Sequence, residues 1–152
     1  MEKQRRVRLA QLVREEVTAQ MKRYAMARTR EEFINAINDV LGPALFHHYR
    51  VVLGTINNRT DQVKKWQRQE DGFLRQFMDL LVKPIKAKGL DPKKAVEQSL
   101  KEIMQKDVAV RRKETLDFQR TYKLKTLVPL PENAHEEFFA RVRETVNEIF
   151  PD

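Results

Sequence analysis

The chain contains no cysteine. That absence excludes disulfide scaffolds, thiol catalysis and zinc sites built on thiolates, and it fits a reducing compartment. Turn-forming residues are scarce as well, with 4 glycines and 6 prolines. Sandwiches and barrels depend on many turns, so the scarcity argues against them. No stretch approaches the ~20 consecutive apolar residues that a membrane helix needs. Met1 to Arg8 is charged and leads into no apolar segment, so no secretory signal is expected. The chain reads as soluble and cytoplasmic, with no membrane partner. Catalytic motifs are missing too: there is no glycine-rich phosphate loop, no Gly-x-Ser-x-Gly and no His-Glu-x-x-His.

What the chain has is charge. Its 152 residues are the usual length of one domain, and 34% of them are charged against 41% hydrophobic. The net charge is +8, the electrostatic footprint of a protein that binds phosphates or an acidic partner. The charge is uneven. Residues 1–30 hold nine Lys/Arg and three Asp/Glu, and residues 59–125 hold eighteen and ten. Residues 31–58 hold one and three, and residues 126–152 hold two and six. Two basic regions therefore flank a nearly neutral segment, and an acidic helix closes the chain.

Apolar residues recur with a helical period almost throughout. Leu9, Leu12, Val13, Val17, Met21 and Tyr24 predict one long amphipathic helix over about 3–27. Thr29-Arg30-Glu31-Glu32 reads as a capping box. The short helix it starts carries Phe33, Ile34, Ile37, Val40 and Leu41, and Gly42-Pro43 reads as its end. A third helix over about 43–55 is apolar on most sides. Thr60 reads as the cap of a fourth, over about 61–88, with Val63, Trp66, Phe73, Phe77, Leu81 and Ile85 on one face. In Gly89-Leu90-Asp91-Pro92 the glycine stops that helix, and Asp91 and Pro92 start the next. That fifth helix turns Ala95, Val96, Leu100, Ile103 and Met104 inward.

Over 107–122 the pattern weakens. Val108, Thr115, Leu116, Gln119 and Tyr122 keep a helical spacing, while Val110 and Phe118 fall off the stripe. Val128-Pro129-Leu130-Pro131 must be extended, because each proline pushes its predecessor out of the helical region. Asn133 reads as the cap of a last helix. The expected fold is all-α, a compact bundle of about five to seven helices, orthogonal or up-down. Its domain organisation reads as a basic bundle over 1–128 and a Pro-linked C-terminal helix over 129–152, docked on the same domain.

The candidate contact residues are the basic clusters. Arg5, Arg6 and Arg8 read as a phosphate track or as a wet helix face, since guanidinium forks match phosphate oxygens. Lys64, Lys65 and Arg68 surround Trp66, which reads as a core anchor or as a stacking platform for a base. Arg111, Arg112 and Lys113, with Arg120, Lys123 and Lys125, crowd the segment whose apolar pattern is weakest. A segment with few apolar positions and much charge is suited to surface contact.

Candidates for chemistry fall away. His47 and His48 are adjacent and point about 100° apart on a helix, so they cannot face one metal. His135 is not tied to them by spacing. Glu15-Glu16, Glu31-Glu32 and Glu136-Glu137 lie near helix starts or on wet faces; for the last two pairs the helix dipole is reason enough. No Arg precedes a His by four to six residues, a spacing that some helical nucleases use. No catalytic residue, metal site or cofactor is expected.

By size, by its helical reading and by the clusters Arg5-Arg6, Lys64-Lys65 and Arg111-Arg112-Lys113, the chain resembles the small helical subunits of CRISPR effector complexes over residues 3–150. The resemblance implies a non-catalytic scaffold, present in several copies, that steadies a guide or target strand by phosphate contacts while base pairing reads the sequence. The partners expected on this reading are RNA or DNA, bound without sequence preference, and other protein subunits, copies of itself included. The competing expectation is a helical adaptor, such as a phage or plasmid accessory factor, that binds an acidic protein through its apolar faces while charge steers.

Overall fold

Phe33, Ile37, Leu41, Leu45, Tyr49 and Leu53 stand four residues apart, and each is almost wholly buried. In the computed structural model, which describes residues 30–151, they form the spine of one helix, α1 (Arg30–Ile56). Four more helices follow: α2 (Val63–Lys88), α3 (Pro92–Gln105), α4 (Asp107–Thr121) and α5 (His135–Ile149). The fold is the expected all-α bundle, with no strand among the described residues. None of these helices is long and apolar enough to cross a membrane. The helix expected over 3–27 and the capping residue Thr29 lie outside the described residues.

The break expected at Gly42-Pro43 does not occur, because α1 runs through it. A proline inside a helix loses one hydrogen bond and costs about 3 kcal/mol. The four-residue stripe, however, passes Pro43 in phase. Burying each of its large side chains is worth about 1.5–3 kcal/mol, so keeping the stripe continuous outweighs the missing bond.

α1 lies at the centre. It packs most extensively against α2, then α3 and α4, and it touches α5. Gly54 permits the close return into α2. The Arg59 amide donates to the Gly54 carbonyl at 2.8 Å, and a Cβ on Gly54 would meet Val63 Cγ2 at 2.7 Å and the Arg59 carbonyl at 2.9 Å. Asn58 takes the left-handed conformation at φ 55°, which asparagine tolerates better than most residues. Thr60 does not cap α2 with its side chain. The cap position is Gln62, and Thr60 contributes only its carbonyl, which accepts from Val63 N at 3.3 Å.

α2 places Leu74, Phe77, Leu81 and Ile85 on α1 and continues across Pro84 to Gly89. Gly89 has φ 62° and closes the helix by donating to the Ile85 carbonyl at 3.1 Å. Asp91 Oδ1 accepts from Lys93 N at 3.1 Å and Lys94 N at 3.3 Å, with Pro92 in the first turn. This restart matches the expectation. α3 then buries Ala95, Val96, Ser99 and Leu100.

The inner face of α4 differs in part from the expected one: Tyr122 packs against the core as its spacing implies, but two apolar members of the stripe do not. Val108 is 61% and Leu116 45% exposed, while Asp107, Glu114 and Phe118 are buried. The face that meets α1 is largely ionic, so apolar spacing misplaces Val108 and Leu116. Asn133 likewise does not cap α5 by its side chain. Ala134 occupies the cap, and the Asn133 carbonyl accepts from Glu136 N at 3.0 Å. Phe138, Phe139, Val142 and Val146 join the same core cluster as α1. The extended segment before them is held in place: Asn57 Nδ2 donates to the Val128 carbonyl at 3.0 Å, and Val128 N donates back to Asn57 Oδ1 at 2.8 Å.

Two outcomes follow for stability. Gly54→Ala forces its Cβ into Val63 and the Arg59 carbonyl and should cost about 1–3 kcal/mol. Gly72→Ala meets no atom within 4 Å and should gain up to about 1 kcal/mol. Urea unfolding of the two variants measures both. His47, stacked on Phe73 at 5.7 Å, is held below its ordinary value of 6.5 by burial and then by Arg50, with Glu70 opposing. A base so depressed binds fewer protons folded than unfolded, so stability should fall as pH drops through 6.5 toward the lower folded value. His47→Phe should shrink the loss between about pH 7.5 and 5.5.

Candidate nucleic-acid interface

Four polar side chains of α1 enter the core, and each meets a partner on another helix. Asn38 Nδ2 donates to Glu102 at 3.0 Å and its carbonyl accepts from the Ser99 hydroxyl, both on α3. His48 Nδ1 lies 3.2 Å from Glu70 on α2, and Glu70 also accepts from Arg141 of α5 at 2.7 Å. The Tyr49 hydroxyl donates to Asp107 of α4. Burial and then the Asp107 carboxylate push that hydroxyl far above its ordinary value, so it stays a donor. Arg50 Nε donates to Glu114 at 3.1 Å, yet burial still raises the Glu114 carboxyl above its usual range.

These contacts sort the charge. Among the carboxylates of α4, Asp107 and Glu114 are each 1% exposed and Asp117 is half-buried. The exposed side of α4 therefore shows Arg112, Lys113 and Arg120, with Val108, Ala109 and Leu116 between them. Lys113 and Arg120 are seven residues apart, which puts them on one face about 10 Å apart along the axis. Arg111 stands differently. It is half-buried, and its Nε donates to Asp107 Oδ2 at 2.7 Å, so its charge is already partnered within the fold.

The end of α4 abuts the start of α2. Trp66 meets Phe118 edge-on with ring centroids 6.4 Å apart, and Phe118 lies 4.7 Å from Tyr122. The Tyr122 hydroxyl donates to Asp61 at 3.1 Å, and Arg59 sits 5.7 Å over the Tyr122 ring. Burial and then Asp61 raise the Tyr122 hydroxyl, so it too remains a donor. This junction brings Lys64 and Lys65, within a turn of Trp66, to the same end of the bundle as Arg120 and Lys123. Lys65, Arg68 and Lys125 are exposed with them. None of Lys64, Lys65, Arg112, Lys113, Arg120, Lys123 and Lys125 makes an ion pair with a described residue. Of the nearby carboxylates, Glu70 and Asp71 are held by Arg141, Asp61 accepts from Tyr122 and stays exposed, and Asp117 is half-buried.

The later members of one expected cluster, Arg120 and Lys123, thus lie at the same end of the bundle as Lys64 and Lys65, more than 50 residues away in the chain, while Arg111, Arg112 and Lys113 lie about two turns further along α4. The third cluster, Arg5, Arg6 and Arg8, lies outside the described residues. Trp66 is half-buried against Phe118, which favours its role as an anchor between the two helices. Sequence reasoning missed Arg59, which adds a cation at the junction; its place directly before Thr60-Asp61 was the available signal. It also missed a second basic feature, a groove of about 610 Å³ between α3 and α5 rimmed by Lys94, Lys101 and Arg143. α3 had been read only for its apolar face. Among the described residues no three His, Asp or Glu side chains are placed to hold a metal ion.

Comparison with protein-family models, with curated proteins and with solved structures gives no match. The chemistry of the surface therefore carries the functional argument.

The structural and the outward arginines of α4 should separate by experiment. Arg111→Ala strands the buried Asp107 carboxylate and should cost about 2–4 kcal/mol of folding stability. Arg112→Ala, on the exposed side, should change stability by less than about 0.5 kcal/mol. Thermal and urea unfolding of the paired variants checks the difference.

Proposed function

We propose that the protein is a non-catalytic subunit that holds a polynucleotide by its phosphates, without sequence preference, on the surface formed by the start of α2 and the outer face of α4. One observation carries this reading: Lys64, Lys65, Lys123 and Lys125 are exposed, make no ion pair with a described residue, and gather where the start of α2 meets the end of α4. Lysine is a compact point charge on a flexible stem. A row of such charges suits a backbone that repeats its phosphates and varies its bases. Binding is then driven largely by release of the counterions condensed on the polynucleotide. Side chains that reach no base edge supply affinity and position rather than sequence information.

On the resemblance to small CRISPR effector subunits, such a surface would serve within a larger ribonucleoprotein. There a guide supplies sequence recognition, and this subunit steadies the strand. The same surface serves RNA and DNA, because nothing in it depends on a base or a 2′-hydroxyl.

Fluorescence anisotropy of a labelled oligothymidylate, titrated with the protein at several salt concentrations, tests the reading. Affinity should fall steeply between about 50 and 200 mM salt. Replacing Lys64, Lys65, Lys123 and Lys125 with glutamine should flatten the slope of log K against log salt by about 3, at 0.7 per single-strand phosphate contact. A salt-independent affinity, or a quadruple variant that binds like the parent, would overturn the proposal.

A further inference from the structure

The groove between α3 and α5 differs in kind from the lysine surface. Its floor is apolar, made by Leu100 and Phe139 at the edge of the core and by the half-buried Met104. Its rim is cationic, with Arg30 from the start of α1, Lys93, Lys94 and Lys101 from α3, and Arg143 from α5. The single carboxylate in the lining is Glu97. Arg143 holds it with two hydrogen bonds, 2.7 and 3.2 Å long, and that contact keeps the Glu97 carboxyl below its usual range.

The spacing along α3 is informative. Leu100 and Met104 are one turn apart on the floor, and Lys94 and Lys101 are two turns apart on the rim, a rise of about 10 Å. This is the complement of an amphipathic helix with an apolar stripe at every third or fourth residue and acidic residues flanking it. A phosphate chain has use for the rim and none for the floor. Among its own segments the chain offers no acidic helix with a free apolar stripe. Its own acidic helix, α5, already buries Phe138, Phe139, Val142 and Val146 in the core, so a second copy cannot present them. Residues 1–29 hold eight Lys/Arg against three Asp/Glu, the same sign as the rim.

We propose that the groove between α3 and α5 is a docking site for an acidic amphipathic helix of a partner protein. It stands independently of the polynucleotide surface on α2 and α4. A subunit with both could bridge a strand and a protein component of one assembly. Apolar contact with Met104 and the methylene stems of the rim lysines, over the buried Leu100 and Phe139, would hold the helix, and Lys94 and Lys101 would set its charge preference and speed its arrival.

The probe is a labelled peptide of about four turns, with leucines on one stripe and glutamates beside it. The control peptide has the same composition with the leucines scattered around the helix. Anisotropy with the full chain should show binding of the striped peptide and about tenfold weaker binding of the scattered one, or 1.4 kcal/mol. Lys94→Glu with Lys101→Glu, both exposed positions, should weaken the striped peptide by about tenfold or more and leave oligothymidylate binding unchanged. Met104→Lys, with circular dichroism to confirm the fold, should act on the peptide in the same way. The proposal is overturned if the striped peptide does not bind, if both peptides bind equally, or if these substitutions leave peptide affinity unaltered. Loss of oligothymidylate affinity in the Lys94/Lys101 variant would assign the groove to the phosphate surface instead.

Discussion

A central helix that packs against four others carries polar side chains on its packed faces as well as on its wet one. In α1 the need to partner those on the packed faces governs the rest of the molecule. His48 and Tyr49 are buried and Asn38 and Arg50 half-buried, and a buried polar group without a partner costs free energy. Each is met by a group from a surrounding helix: Ser99 and Glu102 on α3, Glu70 on α2, Asp107 and Glu114 on α4. Because the partners differ from helix to helix, the contacts also specify which helix lies where around α1. Apolar packing alone would accept several rotations of α4, whose inward side carries one large apolar residue, Phe118, that is fully buried.

This interior chemistry has a consequence on the surface. Carboxylates drawn inward to serve α1 no longer balance the lysines outside. Most of the ion pairs within the described fold are made by arginines. Arg50, Arg111, Arg141 and Arg143 are in ion pairs within the fold, as suits a planar fork that makes directed hydrogen bonds. Lys64, Lys65, Lys94, Lys101, Lys113, Lys123 and Lys125 point outward. Exposed cations gather at two separate places. One is a cationic junction of α2 and α4 and the other a cation-rimmed apolar groove between α3 and α5.

Where local chemistry is strong, the sequence reading matches the structure residue for residue. Gly89, Asp91 and Pro92 stop one helix and start the next because a left-handed cap, a carboxylate acceptor and a fixed φ act within four residues. The same rules mislead at Gly42-Pro43, which carries stop signals of equal strength. There the unbroken i, i+4 series from Phe33 to Leu53 was the better guide, because burial acts on the whole helix and a single proline on one bond. In α4 the apolar pattern pointed Val108 and Leu116 inward, and they lie outside. Period analysis assumes that the inner face is greasy, and the inner face of α4 sets Asp107, Arg111 and Glu114 beside Phe118.

By itself the sequence determined an all-helical chain, its basic character and the residue types available for contact, since periodicity, turn chemistry and composition are local properties. Only the tertiary structure decided which charges are available. Arg111 and Arg112 are neighbours of the same kind in the chain, yet one is spent on a buried aspartate and the other faces water. The reason is geometric: adjacent residues on a helix point about 100° apart, and what lies at each bearing depends on helices folded in from elsewhere. The pairing of Lys64 with Lys123 at one end, and of Lys101 with Phe139 across one groove, has the same origin.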